Sequence, residues 1–167
     1  KIVSFIDVML SEAEKEQFLP ENILLKELFH ELKTDWEKDY SWIEIQLIME
    51  EHVRHKSAKD IFRVIFDNLF LNSIQQNDDK NALQIMIEAE KKGRFMEFTY
   101  SDSGRGLVPK YIQEPMRILD VHETSRKGGH GIGMWIVNNT IIGTGGEITE
   151  IDGKNGFRIK FRIGEKV

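Results

Sequence analysis

Two asparagines four residues apart, Asn68 and Asn72, interrupt what otherwise reads as an apolar helix. The stripe that begins at Ile61 and Ile65 continues at helical spacing into this pair, and residues four apart project side by side. A carboxamide buried without a partner costs about 1–3 kcal/mol. Two readings are therefore open: the helix end has reached solvent, or the pair is aimed at a cation or polar ligand. Further on, Asp102, Gly104 and Gly106 close a strand-like run in YSDSGRGLVP. A carboxylate there can accept from an exocyclic amine, and glycines let a ligand approach the backbone closely; the same pattern also marks ordinary turns. A third group, Gly129, Gly131 and Gly133 in GGHGIGMWIV, leads straight into a helix. Backbone N–H groups at the positive end of a helix dipole suit phosphate. The spacing is Gly-x-Gly-x-Gly with no parallel strand–helix–strand unit around it, so a dinucleotide fingerprint is rejected.

The elements that must carry these residues can be read from periodicity. Residues 2–19 read as an amphipathic helix ending near Pro20, and Pro20 suits the first turn of a following helix. In that second helix Leu25, Leu28, Phe29, Leu32 and Trp36 form one apolar stripe. SWIEIQLIM over 41–49 alternates as a strand, with Ile43, Ile45 and Leu47 on one face. The asparagine helix is expected from about Ser57, a plausible cap, to Gln76, with Asp60 in its first turn. Residues 81–102 read as two strands around a turn at Gly93, 103–133 as a long loop, and 134–142 as a helix. The remainder reads as a hairpin around Asp152-Gly153, with Phe157, Ile159, Phe161 and Ile163 inward and Arg158, Lys160 and Arg162 outward. The fold class expected is α+β, an α/β sandwich: a mixed β-sheet with one layer of helices, preceded by an N-terminal helical segment.

Bulk properties narrow the field. The 167 residues suit one domain with a short appendage, and 40% hydrophobic with 31% charged residues supports one sizeable core. The net charge of −5 argues against nucleic acid as the main partner. With no cysteine, disulfides, thiolate metal sites and cysteine nucleophiles are excluded. No apolar run is long enough for a membrane span, and no signal peptide is evident. The chain begins at Lys1, so a membrane receptor segment upstream remains compatible; a cytoplasmic location is expected.

The order of the three groups resembles the GHKL ATPase superfamily. NLFLNSI (68–74) resembles its N box, DSGRGLVP its first glycine box and GHGIGMWIV its second, while ILDVHETSRK loosely resembles the box between them. The resemblance spans about residues 40–163. It implies binding of Mg-ATP between helices and sheet. Asn72 would then coordinate Mg2+, Asn68 would support the metal or the phosphates, and Asp102 would accept from the adenine amine beside Gly104 and Gly106. The backbone of Gly129, His130, Gly131, Ile132, Gly133 and Met134 would wrap the triphosphate, and 107–128 would be the lid, from which Arg126 and Lys127 could reach phosphate. Two departures stand out: Gln75 occupies a nucleotide-side position where many histidine kinases have lysine, and Gly156-Phe157 replaces the usual Gly-Thr.

Position 68 selects the branch. Gyrase-like, mismatch-repair, heat-shock-chaperone and anti-sigma members carry glutamate there as a base, whereas an amide cannot take a proton at neutral pH. Asp67 is turned about 100° around the helix. The chain therefore resembles the histidine kinase branch, a phosphotransferase whose nucleophile is an imidazole delivered from outside. FHELKTDW contains a histidine, His30, in a context like a phosphoacceptor box. His30 and Asn72 are only 42 positions apart, which leaves no room for a second hairpin helix, and Asp35 stands where the box has proline. The expectation is a helical linker over 1–37, the end of a dimerisation hairpin, and an ATP-binding catalytic domain over 38–167. The acceptor histidine would lie upstream or on a partner protein, with a response regulator downstream and a homodimeric parent. The competing readings are an ATP-gated interaction module without phosphotransfer and a hydrolysing GHKL ATPase.

Overall fold

Alternation of apolar and polar residues decides the sheet. The computed structural model describes residues 20–120 and 133–166. The helix expected over 2–19, and the loop residues Arg126, Lys127, Gly129, His130, Gly131 and Ile132, lie outside the described residues. In chain order the elements are β1 (Glu21–Leu24), α1 (Leu25–Asp39), β2 (Ile43–Ile48), β3 (Arg54–Ser57), α2 (Lys59–Gln76), β4 (Leu83–Lys92), β5 (Phe95–Asp102), α3 (Pro109–Ile112), a 3-10 turn (Pro115–Leu119), α4 (Gly133–Gly143), β6 (Glu147–Asp152) and β7 (Arg158–Gly164).

Five strands pair in the order β2-β4-β5-β7-β6, with β2 parallel to β4 and the other pairings antiparallel. One face is apolar. Ile85 and Ile87 of β4, Met96, Phe98 and Tyr100 of β5, and Ile159, Phe161 and Ile163 of β7 are all buried on it. The opposite face carries Glu88, Glu97 and their like, as expected of a sheet covered on one side only. Helices α1, α2 and α4 supply the other half of the core. Phe66 of α2 sits at its centre, 4.7 Å from the Phe29 ring, 5.3 Å from Phe98 and 5.8 Å from Phe161. Edge-to-face rings at such separations add to burial itself. No described helix is long and apolar enough to cross a membrane.

Four local expectations are corrected. Residues 21–24 form a strand paired antiparallel with β3, so the helix begins at Leu25 and Pro20 precedes a strand rather than opening a helix. Ser57 does not cap α2: it ends β3, its hydroxyl is buried without a partner, and Ala58 occupies the cap position. The stretch 103–133 is not wholly loop, because α3 and the 3-10 turn bury Tyr111, Ile118 and Leu119. The final hairpin turns through the longer connection 153–157, not a two-residue turn.

Helix α1 is welded to the rest. Leu25, Leu28, Phe29, Leu32 and Trp36 enter the same core cluster as the sheet. On the flank, Lys33 Nζ donates to Ile45 O at 2.6 Å and Ile45 N donates to Glu37 Oε2 at 2.7 Å. This pair satisfies the backbone of the β2 edge, a position that otherwise invites pairing with another chain. Lys33 is thus committed to the sheet, whereas His30 is exposed.

A buried histidine marks the joint between β3 and the chain end. His55 is fully buried, its Nδ1 lies 2.8 Å from Lys91 Nζ, and Lys91 pairs with Glu165 at 3.1 Å. The ammonium can only donate, so Nδ1 is the acceptor and the ring is neutral with its proton on Nε2. Burial, then the Lys91 charge, hold the imidazole below its ordinary 6.5; nearby Gly164 and Ile163 backbone groups pull weakly the other way, although Nε2 forms no hydrogen bond. The unfolded chain therefore binds a proton that the folded one resists, and stability falls as pH drops from about 6.5 towards the lowered folded value. His55→Leu is expected to flatten that acid loss, read as urea midpoints on either side of pH 6.5. Equal pH dependence in both proteins would refute the assignment.

Candidate functional site

Strand periodicity carries Asp102 into the site. Met96, Phe98, Tyr100 and Asp102 alternate onto the core face of β5 and are all buried, so the last of them is a carboxylate standing at a core position. Its oxygens are held by three donors. Gly104 N and Phe157 N donate to Oδ1 at 2.9 and 3.1 Å, and Ser73 Oγ donates to Oδ2 at 2.6 Å. Tyr100 OH lies 2.7 Å from Ser73 Oγ and 3.2 Å from Leu69 O. Burial, and secondarily the Asp102 charge, push the Tyr100 phenol well above the usual range, so it stays a donor.

Helix α2 faces this strand end with its second half. Asn68 is buried, and its Nδ2 donates to Val64 O at 2.7 Å. A carbonyl only accepts, which fixes the amide orientation and leaves Oδ1 without a partner among the described residues. That oxygen faces the start of α4: a Cβ built on Gly133 would stand 3.7 Å from it. Asn72 is half-buried, one turn further on, and no hydrogen bond to its side chain forms among the described residues. Gln75 is also half-buried on the same turn, while Met134 is buried beneath the first turn of α4. Asp67, next to Asn68, points elsewhere: Trp36 Nε1 donates to its Oδ1 at 2.8 Å from α1. Burial pushes the Asp67 carboxyl up, against the downward pull of the Trp36 hydrogen bond.

The glycine loop after β5 is shaped by the protein's own backbone. A side chain at Gly104 would collide with Asn77, and one at Gly106, where φ is 74°, would collide with Gly153 O. Gly106→Ala is expected to cost about 1–3 kcal/mol, seen as a lowered urea midpoint; an unchanged midpoint would contradict the contact. Sequence reasoning missed Ser73 and Asn77. Asn77 donates from Nδ2 to Ser73 O at 2.7 Å and accepts from Arg105 N at 3.0 Å, tying α2 to the loop. The signal was present: Phe66, Phe70, Ser73 and Asn77 recur at i, i+4, i+7 and i+11, one buried stripe whose last two members are polar.

The structure thus places the Asn68 amide oxygen beside Gly133 at the start of α4, with Asn72 and Gln75 further along the same helix, and sets Asp102, Gly104 and Gly106 at a strand end that Ser73 and Asn77 join to α2. Sheet order, helix layer and this arrangement define a GHKL-type ATP-binding fold.

More narrowly, the family model described as histidine kinase-, DNA gyrase B-, and HSP90-like ATPase matches residues 57–166, more than half of the chain. The chain belongs to this family. Among solved structures it is similar to the nucleotide-free catalytic domain of histidine kinase ThkA, with a TM-score of 0.73 and 20% identity over 87% of this chain and 95% of that one. It is similar to the mycobacterial sensor histidine kinase MprB at a TM-score of 0.71 and 15% identity, over 89% of this chain and 100% of that one. Full-length ShkA in complex with AMPPNP aligns at a TM-score of 0.70 and 17% identity, over 89% of this chain and 32% of that one. At these identities the likeness is one of fold. No curated protein matches the chain in sequence.

Proposed function

We propose that the chain is the ATP-binding catalytic unit of a sensor histidine kinase, which positions Mg-ATP for transfer of the γ-phosphate to a histidine on another domain or protein. The observation that carries this reading is the amide pair. Among the described residues neither the Asn68 Oδ1, which faces the start of α4, nor the Asn72 side chain has a hydrogen-bond partner, and Asp67, next to Asn68 in sequence, is engaged by Trp36 on the α1 side. With an amide at position 68 and Asp67 turned towards Trp36, this helix is suited to holding nucleotide rather than to activating water.

The residues fit the nucleotide. Asp102 offers an acceptor to a nucleobase amine at a buried strand end, and the N-terminus of α4 offers backbone donors to phosphate. Among the described residues no group of three or more His, Asp or Glu could hold a metal alone. Magnesium would depend on the Asn72 amide oxygen together with phosphate oxygens, in keeping with its habit of binding through few protein ligands. When bound, the ion neutralises charge on the transferring phosphate. Asn68 positions the amide row, and Gly129, Gly131 and Gly133 with the intervening His130 and Ile132 enclose the phosphates, Arg126 and Lys127 adding charge.

The histidine kinase reading brings with it an acceptor-histidine domain, a response regulator and a homodimeric parent on the cytoplasmic side. His30 is not the acceptor in this reading. It lies on α1, whose other face is built into the core, and His30→Ala should leave transfer intact. Incubating the chain and an acceptor-histidine domain with γ-labelled ATP tests the proposal. Acid-labile label on the acceptor supports it, whereas label-free acceptor with phosphate released by the chain alone supports hydrolysis. The uncharged Gln75 favours one second reading, an ATP-gated module that binds nucleotide without transferring phosphate.

A further inference from the structure

We propose that Ser73 is a positioning residue for nucleobase recognition: its hydroxyl locks the Asp102 carboxylate so that a single acceptor site, on Oδ2, is left open for an exocyclic amine. The inference rests on the reading of Asp102 as the nucleobase acceptor and adds the device that gives that acceptor its selectivity.

An ionised carboxylate has about four acceptor positions and no donor. On Oδ1 both are taken, by Gly104 N and Phe157 N. On Oδ2 one is taken, by Ser73 Oγ at 2.6 Å. Among the described residues one position remains, and it sits on the oxygen that Ser73 holds. The direction of the network is forced from that end. Asp102 cannot donate, so Ser73 must; the Ser73 oxygen then accepts from Tyr100 OH at 2.7 Å, with Leu69 O at 3.2 Å as a second acceptor for the same proton. Proton donation runs one way, from phenol to hydroxyl to carboxylate, and chains of this kind polarise and strengthen one another in a low-dielectric interior. Both supporting residues are sealed, Ser73 at 2% exposure and Tyr100 at 0%. Asn77 pins the Ser73 backbone through its carbonyl and the adjacent loop through Arg105 N, so helix turn, carboxylate and glycine loop move as one body.

The consequence is discrimination at one functional group. A purine bearing an amine at its six-position can donate to the open site; one bearing a carbonyl there presents a lone pair to a lone pair. Removing the Ser73 hydroxyl frees the carboxylate to turn, which weakens the aimed hydrogen bond without altering phosphate binding.

The test measures calorimetric affinities of Mg-ATP and Mg-ITP for the chain and for Ser73→Ala. The wild type is expected to prefer ATP. In Ser73→Ala the ATP-to-ITP ratio is expected to fall about tenfold, with ITP affinity unchanged. Ser73→Cys, close in size and a weaker donor, carries the same expectation if the alanine variant does not fold. A ratio equal to the wild-type value, or equal losses for both nucleotides, overturns the role of Ser73 while leaving Asp102 as acceptor. A wild type that binds ATP and ITP alike overturns the Asp102 reading and the inference with it.

Discussion

Asn72→Ala is expected to weaken Mg-ATP binding by more than about a hundredfold while leaving the stability of the nucleotide-free chain within about 0.5 kcal/mol of wild type. The side chain is half-buried and forms no hydrogen bond among the described residues, so little folding stability is expected to depend on its amide. If magnesium takes its protein ligand from that amide, binding does. A ligand that binds only the folded state stabilises it in proportion to the logarithm of one plus the ratio of its concentration to Kd, and so raises the melting temperature. Thermal denaturation with and without Mg-ATP separates the two effects. The variant should melt with wild-type behaviour alone and gain nothing from nucleotide. A variant stabilised by Mg-ATP as much as wild type would remove Asn72 from the metal site.

Replacing Asp102 should have the opposite profile. Asp102→Ala strands Gly104 N, Phe157 N and the Ser73 hydroxyl in a buried setting, and each orphaned donor costs about 1–3 kcal/mol. The expected loss is about 3–5 kcal/mol of folding stability, together with nucleotide binding. Asp102→Asn separates these. Its oxygen can still accept from Gly104 N and Phe157 N, and its Nδ2 can donate to a Ser73 hydroxyl that has turned to accept. The fold should lose far less, yet the nucleobase amine would meet a donor instead of an acceptor. Urea unfolding of both variants and calorimetry with ATP on the amide variant check the pair of expectations. Equal destabilisation by Ala and Asn would contradict the structural expectation, and wild-type ATP affinity in the Asn variant would contradict the nucleobase role.

Much of this was legible in the chain because periodicity and polarity disagree at the positions that matter. Asn68 appears on an apolar helix, and Asp102 follows Met96, Phe98 and Tyr100 at strand spacing onto the core face. The same disagreement at Ser73 and Asn77 was passed over, because single small polar residues in a helix are commonly solvated. The strand Glu21–Leu24 could not be read locally: its partner Arg54–Ser57 is distant in sequence and just as short. Ser57 looked like a helix cap by residue type, but its place in that ribbon turns the hydroxyl inward and leaves Ala58, with no capping side chain, at the N-cap position. The role of Lys33 and Glu37 has no local signal, because only the tertiary placement of Ile45 gives them the β2 edge to hold.

The central claim is that one nucleotide is held between the amide row of α2 and the start of α4, with its base at the end of β5. Amide shift mapping of the isotope-labelled chain with AMPPNP and magnesium tests this most directly. The account predicts perturbations concentrated at Asn68, Asn72, Asp102, Gly104, Gly106, Gly133 and Met134, dependent on magnesium for the asparagines. Saturable shifts that leave these residues untouched, or no shifts at all, would contradict it.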